Sequence, residues 1–239
     1  MSAQTNAPTF LLIHGAWHGG WCWRRVSDRL ANSGHHVMTP TLTGLADRSH
    51  LLSLDVTLSM HVTDVVNLIK WENLTNVVLV GHSYGGFVIS GVAEQIPSAI
   101  SSIVFLDAFF PESGESLAQA AAPLVPEWIK VAREKGESTI PPPSADWFNV
   151  NARDHAWVEA KSTPQPIATF TEKLVLTGAR ERIAKKAYIR AGDFEFPAFD
   201  KIYEKLAAEA SWKTYTMPCG HDAMIDMPER LTEILLEMA

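Results

Sequence analysis

Apolar residues in this chain fall into short runs, and stretches with helical spacing follow them. Residues 9–13 (TFLLI), 77–80 (VVLV) and 100–106 (ISSIVFL) are bounded by polar or turn residues. Runs this short and this apolar predict strands buried on both faces, which means a parallel sheet with helices on each side. HHVMTP, ended by Pro40, predicts a further short strand, as do residues 187–191 and 212–217. Between them WRRVSDRLANSG has helical spacing and a glycine stop at Gly34. Residues 58–70 place Met60, Val62, Val65, Val66 and Ile69 on one helical stripe. Residues 87–96 and 199–208 also read as helices, and a last helix starts near Pro228, a residue favoured in a first turn. The predicted class is α/β, a mostly parallel, doubly wound sheet.

The alternation breaks between Pro111 and Thr177. This stretch holds Pro141-Pro142-Pro143 together with Trp128, Trp147 and Trp157, and it reads as short helices and loops. The expected organisation is a core of residues 1–110 and 178–239 with residues 111–177 as an insertion.

One stretch fits neither a strand nor a helix. In VLVGHSYGGFVIS, Ser83 lies between Gly81 and Gly85, directly after a strand and before a helix. A strand turning into a helix through Gly-x-Ser-x-Gly forms a nucleophile elbow, which holds the serine hydroxyl above the sheet in strained backbone. The flanking glycines fit a place where strand and helix come too close for a Cβ.

A serine hydroxyl needs a base to become a nucleophile. Of nine histidines, His221 in MPCGHDAMIDMPERL follows the last strand and precedes the last helix, the expected place. His82 adjoins the serine, but its side chain should point away from that of Ser83. An oxyanion needs two backbone N–H donors. The candidates are Tyr84, the residue after the nucleophile, and Ala16 in the loop His14-Gly15-Ala16-Trp17 after the first strand. The ring of His14 is expected to tie that loop down. His18 and the Trp17, Trp21, Trp23 group suit core packing and pocket lining equally.

The acid that should orient His221 has three candidates. Asp193 and Glu195 lie after the penultimate strand, the usual place, but neither has a clean offset. Asp107 ends the strand IVFLD, beside the nucleophile strand, where its carboxylate would face the edge at which parallel sheets bind ligands. An ionisable residue closing an apolar strand also calls for a reason. Asp107 is favoured, with Asp193 next and Glu195 third.

Composition narrows the partners. Charged residues are 20 % of 239, the formal charge is −7, and there is no basic run, so nucleic acid is not an expected partner. The opening MSAQTNAPTF has no apolar core of a secretory signal, and no apolar run approaches a membrane span, so no membrane and a cytoplasmic location are expected. Cys22 and Cys219 read as two free thiols. With no phosphate loop and no metal-ligand spacing, neither cofactor nor metal is expected. The expected partner is a small-molecule substrate, and a homodimer is compatible with the sequence.

Four segments carry a family resemblance: LLIHGAWHGGWCWRRV, VVLVGHSYGGFVISGVAE, IVFLDAFFPESGESL and MPCGHDAMIDMPERLTEILL. The chain resembles α/β-hydrolases of the branch that holds plant hydroxynitrile lyases, plant methylesterases and small bacterial esterases. The resemblance implies Ser83 as nucleophile, His221 as base, Ala16 and Tyr84 as oxyanion donors, and the insertion as a helical cap over the pocket. It implies cleavage of a small apolar or aromatic ester, with a carbamate or amide as the alternative. Lyase chemistry and a receptor role are more distant readings. The plant lyases carry Thr where this chain has Gly15 and Lys where it has Asp222.

Overall fold

The computed structural model describes residues 7–239. The first six residues of the polar opening, on which the absence of a secretory signal partly rests, lie outside the described residues. Six parallel strands form one sheet: β1 (Thr9–Ile13), β2 (His36–Met38), β3 (Val77–His82), β4 (Ile100–Leu106), β7 (Lys185–Ala191) and β8 (Trp212–Met217). Their spatial order is β2-β1-β3-β4-β7-β8. The chain therefore winds one way from β1 to β2, then back past β1 and on to β8. The order reverses beside β1 and β3, whose C-terminal ends carry the His14 loop and Ser83. β1 and β3 are buried at every residue, as their unbroken apolar runs require.

The frame helices are α1 (Arg24–Asn32), α2 (Leu58–Trp71), α3 (Gly85–Gln95), α8 (Pro197–Ala207), α9 (Ala223–Asp226) and α10 (Pro228–Leu236). α2 starts where the Thr57 hydroxyl accepts the N–H of Met60. It buries Leu58, Val62, Val65, Val66 and Ile69, each contributing about 1.5–3 kcal/mol. The predicted stripe shifts slightly: Met60 is only half-buried, and His61 turns inward to meet Tyr84. α3 begins two residues earlier than its apolar run, so Gly85 and Gly86 are already helical. β7 begins at Lys185, two residues earlier than predicted. Lys186 buries its stem and donates its ammonium to the carbonyls of Glu181 and Ile183.

Residues 111–177 hold α4 (Leu117–Ala120), α5 (Leu124–Glu134), α6 (His155–Lys161) and α7 (Ile167–Thr171). Two-residue strands β5 (Thr139–Ile140) and β6 (Gln165–Pro166) pair antiparallel within them. The segment's ends meet where Gly114 N–H bonds to Leu174 O and Leu174 N–H to Glu115 O. Cys22 and Cys219 are buried free thiols. Among the described residues no helix is long and apolar enough to cross a membrane, and no group of side chains could hold a metal ion.

Candidate active site

Ser83 sits at the β3–α3 junction with φ of +53°, a left-handed backbone that is uncommon outside glycine. Its strain is held from both sides. The Ser83 N–H donates to Leu106 O at 3.2 Å, and Ser83 O accepts from Gly86 N and Phe109 N. The glycine spacing has the expected steric cause. A Cβ on Gly81 would lie 2.7 Å from Gly85 O, and one on Gly85 would lie 2.9 Å from Ile13 O.

Ser83 and His221 face one narrow, mostly apolar cavity. Among the described residues they share it without a direct hydrogen bond, as is common before a substrate tightens the contact. The N–H groups of Ala16 and Tyr84 also have no protein partner among the described residues, and both residues line the cavity.

The Ala16 donor is held in place by His14. His14 Nδ1 donates to Gly15 O at 2.7 Å, and its Nε2 accepts the Leu42 N–H at 3.0 Å. Gly15 O belongs to the same peptide plane as the Ala16 N–H, so the ring fixes the direction in which that N–H points. The arrangement needs a neutral imidazole, and burial takes the His14 pKa down to about 3. The next residue, Trp17, has φ of +65° and is tied to residues of the 111–177 segment. Its N–H donates to Gln165 Oε1 and its indole to Ile140 O, both at 3.0 Å.

His221 is 3 % exposed. Its Nδ1 lies 2.6 Å from Asp107 Oδ2. Asp107, with φ of +41°, is fully buried just beyond β4, and its N–H donates to Ile189 O at 2.7 Å. Asp193 and Glu195 are exposed, while Phe194 between them is buried. The alternation along this loop turns the aromatic ring inward and both carboxylates outward, so the structure brings Asp107, and neither of these, to the histidine. Phe148 and Phe199 stack on the His221 ring at 5.7 and 5.5 Å, and Phe194 lies at 4.6 Å. The His221 N–H donates to Phe148 O at 2.9 Å. His221 thus rests on residues of the 111–177 segment as well as on the sheet.

A second buried pair lies beside this one and has no counterpart in the sequence reading. Asp222 Oδ2 accepts from His18 Nε2 at 3.0 Å, and His18 Nδ1 donates to Ala16 O at 2.8 Å. With both nitrogens donating, His18 is an imidazolium. Burial pulls its pKa down, and the charge and hydrogen bond of Asp222 more than reverse that, so the net direction is up. For Asp222, burial pushes up, but the charge and hydrogen bond of His18 dominate and hold the carboxyl well below the usual range. His82 stays neutral, its pKa lowered first by burial and then by His221. Its Nε2 donates to His221 O at 3.0 Å, and its ring lies 4.5 Å from that of His221. The GHD tripeptide and the distant His18 were the available signals, but nothing in either reports their pairing.

A fold of parallel strands with a serine in the elbow, two free amides beside it and a carboxylate–imidazole pair defines the class. The alpha/beta hydrolase family model matches residues 10–234, so the chain belongs to the α/β-hydrolase family and is a hydrolase. It is 41 % identical to the carbendazim hydrolyzing esterase of Nocardioides sp. (strain SG-4G), across 95 % of this chain and 97 % of that one. It is 28 % identical to the putative chloroplastic methylesterase 14 of Arabidopsis thaliana, across 96 % and 71 %. Among solved structures, an extracellular α/β-hydrolase from a Paenibacillus species superposes with a TM-score of 0.85 at 26 % identity, covering 97 % of this chain and 99 % of that one. That protein is described as sharing structural and functional homology with tobacco salicylic acid binding protein 2.

Proposed function

We propose that the protein is a serine hydrolase that cleaves a small, uncharged aromatic ester through an acyl-enzyme. The observation that carries this reading is the convergence of Ser83, His221 and the free amides of Ala16 and Tyr84 on one cavity. Ser83 Oγ attacks the carbonyl carbon while His221 Nε2 takes its proton. The two amides stabilise the tetrahedral oxyanion. His221 then protonates the departing alcohol, and a water, deprotonated by the same nitrogen, releases the acid and restores Ser83. Asp107 fixes the imidazole tautomer throughout. The 111–177 segment serves as the cap, its Trp128, Trp147, Phe148 and Phe170 facing the cavity alongside Trp17.

The substrate class follows from the walls. Among the described residues no carboxylate, lysine or arginine lines the cavity, so a charged substrate would be desolvated without a partner. Flat aromatic groups suit walls made of aromatic faces and edges. The 41 % identity to a carbendazim hydrolyzing esterase favours one second reading. Carbendazim is the methyl carbamate of a flat heteroaromatic amine, and the same acyl transfer cleaves carbamates.

Lyase chemistry fits poorly. A side chain at Gly15 would begin 2.9 Å from both the His82 ring and Ser83 Cβ, so the threonine of the plant lyases has no room. Their lysine is replaced by Asp222, whose charge is taken up by His18.

The test compares p-nitrophenyl acetate, methyl benzoate and methyl N-phenylcarbamate with wild type, Ser83→Ala, Asp107→Asn and Asp193→Asn. Ser83→Ala is expected to lose on the order of 10⁶ in kcat, Asp107→Asn on the order of 10⁴, and Asp193→Asn little. Near-full activity of Ser83→Ala overturns the mechanism, and collapse of Asp193→Asn alone overturns the choice of acid. The ratio of methyl benzoate to carbamate turnover decides between ester and carbamate.

A further inference from the structure

β7 is the strand whose following loop ordinarily supplies the acid in this architecture. Here that loop turns Asp193 and Glu195 outward, and β7 supplies a buried cation. Arg190 is 4 % exposed. Its Nη1 donates to Asp107 Oδ1 at 2.8 Å, and the Ala191 N–H donates to the same oxygen at 3.0 Å. Asp107 Oδ2 is left for His221. The guanidinium makes its remaining bonds to Ala191 O, to Phe194 O at 2.6 Å through Nη2, and to Asp200 Oδ1 at 2.8 Å through Nε. One planar fork therefore holds the carboxylate, the loop after β7, and α8. Through Phe194 and Phe199 it also bears on the aromatic cage around His221.

We propose, resting on the serine-hydrolase reading, that Arg190 is a positioning residue of the triad, which locks the relocated carboxylate of Asp107 so that Oδ2 faces His221 Nδ1. A fully buried carboxylate needs a counter-charge, and the permanent charge and planar fork of an arginine supply it in one fixed geometry. The other groups facing His221 leave that role to Arg190. Asp222 is neutralised by His18, and His82 is neutral. Tyr188 faces Asp107, with its hydroxyl donated to Ala108 O and its pKa raised by burial. Asp200, with more than half of its side chain in solvent, balances Arg190 only through screening water. Asp193 is exposed, and Asp226 is occupied by the N–H of Asn151.

The experiment measures kcat/KM for p-nitrophenyl acetate from pH 5 to 9.5 with wild type, Arg190→Met and Arg190→Lys. The second readout is the downfield proton NMR signal of His221 Nδ1–H. In Arg190→Met kcat should fall ten-fold or more at every pH with KM within two-fold. The Nδ1–H signal, which reports the His221–Asp107 bond, should broaden or disappear as the carboxylate loses its fixed position. A wild-type Nδ1–H signal beside a lowered kcat would mean that Arg190 is only scaffold and overturns the proposal.

If Arg190→Met does not fold, Arg190→Lys decides. A single ammonium cannot reach Asp107, Ala191, Phe194 and Asp200 together, so kcat should fall ten-fold or more with KM within two-fold. Wild-type kcat in Arg190→Lys overturns the proposal. Full activity in Ser83→Ala would instead sink the serine mechanism, and the NMR signal would still report on the Arg190–Asp107–His221 chain without turnover.

Discussion

Acid should unfold this protein earlier than its carboxylates alone require. His14 and His61 are fully buried and neutral, with pKa values lowered mainly by burial to about 3 and about 4. Each uses one nitrogen as donor and the other as acceptor. His61 Nε2 donates to Thr43 O and its Nδ1 accepts the Tyr84 hydroxyl. In the unfolded chain both take a proton near pH 6.5. Between pH 6.5 and their folded values the unfolded state binds more protons, so stability falls as pH falls. At pH 5.0 each contributes about 2 kcal/mol of lost stability, about 4 kcal/mol together. His82, also lowered, acts in the same direction.

The buried pair does not compensate. His18 is raised, so its contribution is complete below about pH 6.5 and is lost only as pH rises through its folded value. Asp222 is lowered, so its contribution persists until pH falls well below the ordinary carboxylate range. A loss of about 4 kcal/mol is a large part of the roughly 5–15 kcal/mol that holds a domain folded. Urea unfolding followed by tryptophan fluorescence at pH 7.5, 6.0 and 5.0 measures it, with a constant m-value as the check on two-state behaviour. His61→Gln keeps a donor and an acceptor but no titration, so its stability should depend on pH by about one proton less. A midpoint unchanged from pH 7.5 to 5.0, or a His61→Gln slope equal to wild type, would refute the assignment of neutral buried imidazoles.

Three further outcomes are expected. Asp222→Asn leaves the His18 imidazolium buried without its counter-charge and should cost about 3–5 kcal/mol in the same urea assay. Tyr84→Phe should cost about 1–3 kcal/mol, because His61 Nδ1 loses its donor. It should nonetheless retain turnover, since the proposed oxyanion donor is the backbone N–H. The Cys219 thiol is pushed up to about 12 by burial and nearby carboxylates. Disulfide reagents at pH 8 should therefore modify it only at the rate of unfolding, as judged by mass spectrometry in the presence and absence of urea.

The legible and illegible parts of this chain divide by the range of the interaction. β1, β4 and β8 follow the sequence reading to the residue, and for β1 and β4 the reason is that an apolar run with polar or turn residues at its ends is a local signal. The Gly-x-Ser-x-Gly elbow is local too. Asp107 stands out because an ionisable group closes an apolar strand, and the structure puts it against His221. The start of β7 is hidden because Lys185-Lys186 looks like surface, whereas the Lys186 stem is buried. Arg190 looks like an outward residue of YIRAG, and its partner lies 83 positions away. Asp222 reads only as a lysine that is not there. Its partner His18 is 204 positions away, and pairings over such distances leave no periodicity to find.

The bond from the His221 N–H to Phe148 O, and the ties from Trp17 to Gln165 and Ile140, bear on how new specificities could arise in this scaffold. Phe148, which lines the pocket, also holds the His221 N–H, and Gln165 and Ile140 of the same segment brace the loop that bears Ala16. Exchanging residues 111–177 wholesale for those of a relative would therefore alter the turnover machinery together with the substrate choice. Even the aromatic positions Trp128, Trp147 and Phe170 are not free of it, because they pack on Trp17, Tyr84, Phe148 and Phe194, the residues that border Ala16, Ser83 and His221.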